Sequence, residues 1–135
     1  MGRLSVNELT TYRWSFDEDV HFYLETGIEG IGVWRDKLVD FGEEKSAELI
    51  SESGIAVSCL LWAGGFTGSD GRRFSDSIED ARQAIEMAAS IGAPALVLHS
   101  GGQGGHTLRH AGRLLETALA ELLPVAHVAG VQLAL

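Results

Sequence analysis

In the segment Leu96–Thr107, LVLHSGGQGGHT, an apolar run ends on a histidine, and four of the six residues after His99 are glycine. An imidazole at the point where a strand leaves the core can ligate a metal, act as a general base, or bond a substrate hydroxyl. The reading adopted for His99 is a pocket-facing side chain; the alternative is a histidine bonded to a neighbouring strand. The glycine tract followed by a helical pattern could present backbone N–H groups to an anion. It lacks the Lys-Ser/Thr pair of a Walker loop, and no GxGxxG follows the first strand, so a nucleotide fingerprint is missing. His106 and His110, four apart, lack the glutamate of an HExxH zinc site and read as surface histidines.

Other chemistry-bearing residues fall at the ends of apolar runs. Asn7 and Glu8 close the first, Trp34 and Arg35 the second, and Trp62 the third. Trp34 and Trp62 can stack on the apolar face of a sugar or cap the end of the core. Arg13 and Arg35 can hold a carboxylate or phosphate, or stay solvated. The stretch AGGFTGSDGRRFSD after Trp62 is long enough for a lid, or else a surface loop. No Ser-His-Asp set can be assembled. Cys59 sits inside an apolar run and reads as inert.

The elements that must position these groups alternate along the chain. Strands are expected at 4–9, 28–34, 55–62, 95–100 and 131–135. Helices are expected at 15–27, 42–54, 77–92 and 107–130, the last interrupted or bent at Pro124. Ser15 with Glu18 forms a capping box, and Gly27 ends that helix. Ser77 and Asp80 suit a helix start, and Gly92 and Pro94 its stop. Strands alternating with amphipathic helices imply an α/β fold with a parallel sheet. In such folds ligands meet the carboxyl ends of the strands, where the polar and aromatic residues named above lie.

Composition narrows the function classes. The chain has 135 residues, one domain's worth, with 45% hydrophobic and 21% charged residues. Its formal net charge is −9, with only 10 Lys and Arg, which disfavours a nucleic-acid partner. No apolar run approaches the roughly 20 residues of a membrane span. The N-terminus has no signal-peptide pattern, and Gly2 is not expected to be acylated because a strand begins at Leu4. The lone Cys59 excludes an internal disulfide and fits a cytoplasmic setting.

The segments GIEGIGVWRDKL, GIAVSCLLWAGGF, SIEDARQAIEMAASIGAPALVLHSGG and GVQLAL resemble the xylose isomerase-like TIM barrels. That superfamily includes sugar phosphate isomerases and epimerases, hydroxypyruvate isomerase, inosose dehydratase and endonuclease IV. The resemblance implies a (β/α)₈ TIM barrel of which residues 1–135 are the N-terminal half: roughly the first four βα units plus strand five. It implies a divalent metal (Mn²⁺, Mg²⁺, Co²⁺ or Zn²⁺) and a small-molecule sugar-type substrate. Proton transfer at a hydroxy-carbonyl group is the implied reaction. The metal ligands and catalytic carboxylates are expected beyond Leu135, so this span alone is expected to be inactive. His99 matches the family's strand-four histidine, a metal ligand in endonuclease IV, and Trp62 a pocket position. Gly32 stands where many relatives carry a glutamate, which weakens an acid–base role for strand two. The expected pocket is His99, Trp62, Trp34, Asn7, Glu8 and Arg35. The leading expectation is a sugar or sugar phosphate isomerase or epimerase. The alternatives are a dehydratase, an endonuclease IV-like hydrolase, or a non-catalytic half-barrel or binding module; a homo-oligomer stays open.

Overall fold

The computed structural model describes residues 3–135; Gly2 lies outside them. Five strands, β1 (Ser5–Asn7), β2 (Gly30–Trp34), β3 (Ala56–Gly64), β4 (Ala95–His99) and β5 (Gln132–Ala134), form one sheet in the order β1-β2-β3-β4-β5. Every pairing is parallel. A doubly wound sheet reverses its strand order at a switch point. An order that never reverses is that of a barrel wall, and the chain has the architecture of half a TIM barrel.

Five helices cover one face: α1 (Phe16–Glu25), α2 (Arg35–Phe41), α3 (Glu43–Ser53), α4 (Phe74–Ser90) and α5 (Leu108–Ala129). The core lies between them and the sheet. Ile31, Val33, Leu60 and Leu96 from the strands meet Ala81, Ile85 and Ala88 of α4 and Leu122 of α5, all fully buried. The continuous apolar run of β4 resolves into two faces. Leu96 and Leu98 are buried beneath helices, whereas Ala95 and Val97 are half-buried and His99 is exposed on the other face. A strand written for burial on both faces is here covered on one.

Several boundaries differ from the sequence expectation. The first strand stops at Asn7, whose side-chain Oδ1 accepts the Leu9 N–H at 2.9 Å and opens a 3₁₀ turn over Glu8–Thr11. Helix α2 is additional; its seven residues bury only Leu38 and Lys37, too few for a periodic signal. Helix α4 begins three residues before Ser77, so Ser77 is no cap: it is buried inside the helix, donating to the Gly65 and Arg73 carbonyls. Helix α5 runs through Pro124 without an assigned break. The Ser15–Glu18 capping box is present, with the Ser15 N–H donating to Glu18 Oε2 at 2.9 Å.

Candidate functional site

The carboxyl ends of β2, β3 and β4 open onto a cleft of ≈ 390 Å³ whose lining includes Arg35, Asp36, Trp62, Arg72, Asp80 and His99. The His99 ring stands edge-on to Trp62, centroids 6.4 Å apart at 83°. Beside them Arg35 grips Asp80 with both arms, Nη1 to Oδ2 at 3.0 Å and Nη2 to Oδ1 at 2.9 Å. Arg72 Nη1 lies 3.5 Å from the same Asp80 Oδ2. Arg72 also donates to Asp70 Oδ2 at 2.8 Å and to the Gly64 carbonyl at 2.8 Å. Hydrogen bonds from the Arg72 backbone and side chain hold Asp70 below the usual carboxylate range. The bond to Asp70 in turn raises Arg72. Both guanidinium groups of the cleft are thus already matched by carboxylates.

The cleft wall is a pair of loops fastened together, neither a lid nor a free surface loop. Phe66 and Thr67 are buried at 1% and 6% exposure. Thr67 Oγ1 donates to the Gly102 carbonyl at 2.6 Å, and the Gly102 N–H donates to Ser69 Oγ at 3.0 Å. His106 precedes α5 yet its ring lies beside that of His110, centroids 4.9 Å apart, and its Nε2 donates to the Thr67 carbonyl at 2.7 Å. Two glycines permit this closeness. Gly64, at φ +136°, would place a Cβ 2.0 Å from the His99 carbonyl oxygen, and Gly101 one 2.5 Å from Thr67 Oγ1. The glycine tract thus commits the Gly102 N–H to its neighbour loop, and Thr107 caps α5 by accepting from the His110 N–H.

Of the expected pocket residues, His99, Trp62 and Arg35 come together in this cleft. Trp34 lines a neighbouring cleft of ≈ 500 Å³ with Tyr12, Trp14, Phe16 and Phe41; Asp36 is common to both. Asn7 is half-buried and occupied as a turn cap. Glu8 departs most from expectation. The 3₁₀ turn carries it away from the open face, and it is 0% exposed, with Oε2 accepting the Trp34 N–H at 2.6 Å. Arg13 stays on the surface, stacked on its neighbour Tyr12. Sequence reasoning missed Asp80 and Arg72, read as a helix-start acid and a loop cation. Asp80 meets Arg35 across 45 residues of chain, too far to be paired by spacing.

No group of three or more His, Cys, Asp or Glu side chains converges among the described residues. Of the two acids that line the cleft, Asp36 and Asp80, Asp80 is held by two arginines. This donor set does not by itself fit a divalent cation. No described helix is long and apolar enough to cross a membrane.

Solved structures share this architecture. Protein SMc04130 from Sinorhizobium meliloti 1021 is 34% identical and superposes with a TM-score of 0.90, over 97% of this chain and 49% of that one. The IOLI protein, solved with a bound zinc atom, is 20% identical with a TM-score of 0.83, over 98% and 50%. An L-ribulose 3-epimerase is 20% identical with a TM-score of 0.77, over 98% and 48%. The chain therefore spans about half the length of these structures. Comparison with curated protein sequences gives no significant match. The xylose isomerase-like TIM barrel family matches residues 20–135, and with the unreversed parallel strand order this places the chain in that family.

Proposed function

We propose that the chain forms one half of the substrate mouth of a sugar isomerase or epimerase. The observation that carries the reading is the cleft at the ends of β2–β4, where Trp62 and His99 stand beside an Arg35–Asp80–Arg72 network. An indole offers an apolar face to sugar C–H groups. An imidazole and a fixed guanidinium–carboxylate pair offer directional bonds to hydroxyls. The epimerase among the structural neighbours supports the same substrate class. Because both arginines are already paired, this half of the mouth suits uncharged hydroxyls better than a phosphate. The divalent metal seen in the IOLI structure would be held by side chains outside these residues.

The test is turnover of free ketoses against ketose phosphates by the protein containing this chain, assayed with and without EDTA. Replacing His99 by Ala should lower kcat/KM roughly tenfold or more, the range for a lost polar contact to the reacting substrate, while the fold survives. An unchanged rate would remove His99 from the site. Faster turnover of phosphates would remove the preference for uncharged sugars.

A further inference from the structure

A closed polar cluster lies between the ends of β1 and β2 and the first turns of α1 and α2. Glu8 and Asp19 are each 0% exposed and Lys37 is 7% exposed. The Lys37 ammonium spends all three of its donors here: on Asp19 Oδ2 at 2.6 Å, the Thr11 carbonyl at 2.8 Å and the Glu8 carbonyl at 3.2 Å. The Thr11 hydroxyl donates to Asp19 Oδ1 at 2.5 Å, which leaves the Tyr23 hydroxyl to donate to Thr11 at 2.6 Å. Both Asp19 oxygens are therefore served by donors. Glu8 Oε2 has the Trp34 N–H. What remains, among the described residues, is Glu8 Oε1, buried without a donor, on a carboxyl that has Asp19 as its neighbour in the cluster.

Two carboxylates can only accept, so the approach of Glu8 to Asp19 becomes a bond when one of them carries a proton. Asp19 is the anion, since it receives the ammonium and a hydroxyl. One buried cation matches one buried anion, and a second anion would be uncompensated out of reach of water. We infer that Glu8 is a neutral carboxylic acid in the folded protein at neutral pH, its Oε1–H donated to Asp19. In that form it is the positioning residue that fixes the 3₁₀ turn and the end of β2, and with them Trp34.

The same arrangement defines a pH response. The groups facing Glu8 are Asp19 and Tyr23 from α1, Lys37 from α2 and the Trp34 N–H from β2. Burial, then the bond to Asp19, pushes the Glu8 carboxyl up to about 8; the Trp34 N–H and the Lys37 charge oppose this. Burial raises Tyr23 as well, so the phenol adds no second charge near neutrality. Ionisation of Glu8 sets it against Asp19 with no second cation to absorb the repulsion. The inference does not depend on the sugar reading, because it concerns the wall beside the mouth and not the ligand.

The experiment is an NMR titration of the protein, following the glutamate side-chain carboxyl carbons and the Trp34 amide. One glutamate carbon, absent in Glu8→Gln, should titrate well above the ordinary carboxylate range, and the Trp34 amide should move with the same midpoint. In Glu8→Gln the amide group can donate to Asp19 and accept from Trp34, so the Trp34 amide should stay flat over that range. A merely space-filling Glu8 would leave the Trp34 amide flat in the wild type too. Either that result or a Glu8 carbon titrating with the other glutamates overturns the inference. If Glu8→Gln does not fold, the wild-type carboxyl and Trp34 titrations still decide it.

Discussion

Replacing Glu8 with Gln should change how stability depends on pH more than it changes stability itself. The folded protein holds the Glu8 proton up to about pH 8, whereas the unfolded chain releases it near 4.5. Between those values the folded state binds more protons than the unfolded state. Stability from this group is therefore complete below about pH 4.5 and is lost as pH rises through about 8. At about 1.4 kcal/mol per pH unit the loss reaches at most about 5 kcal/mol, less where water penetrates or the network relaxes. Asp70, held below its ordinary range, works in the opposite direction but only in more acid solution. The measurement is urea unfolding of wild type and Glu8→Gln between about pH 5 and 8, subtracting one curve from the other so that histidine titrations common to both cancel. The variant should gain on the wild type by a few kcal/mol as pH rises. Parallel curves, or a wild type that gains on the variant, would refute the charge assignment of the cluster.

Three further outcomes follow from packing and charge. Lys37→Met removes the cation that faces Asp19 and should cost about 3–5 kcal/mol at neutral pH, read by urea unfolding. Gly64→Ala puts a methyl 2.0 Å from the His99 carbonyl oxygen at a positive φ. A cost above about 3 kcal/mol, beyond the conformational penalty alone, is expected, with amide exchange speeding first at the β3–β4 end. Leu122→Ala empties a fully buried position between α5 and the sheet, and thermal unfolding should report a loss of about 2–5 kcal/mol.

The elements were legible where periodicity had room to show. Four helices and five strands were expected near their observed places, because helices such as α4 carry Ile78, Ala81, Ile85 and Ala88 at a repeat that only a helix satisfies. Helix α2 was not, since seven residues with one buried leucine leave no period to read. The site was legible as strand ends, and His99 and Trp62 do face one another there. Its wiring was not: Arg35 meets Asp80 and Thr67 meets Gly102 across chain separations that no local pattern encodes. Glu8 looked like one more polar strand end. Its burial depends on Asn7 turning the chain one residue earlier, and on Asp19 and Lys37 arriving from two different helices.

The unreversed strand order also bears on how the chain acquires its shape. Ser5 pairs with Gly30, Gly30 with Ala56, Leu60 with Leu96 and Ala95 with Gln132. Each strand finds its partner in the next βα repeat, so the loop that must close at each step stays short and its entropy cost nearly constant. A ribosome delivering the chain from its N-terminus supplies every partner in the order of use. The exceptional step is the one that brings the free side of β1 to the last strand of a closed barrel. That single long-range closure carries the slow, high-contact-order part of folding, and until it happens two strand edges stand open to any other extended chain.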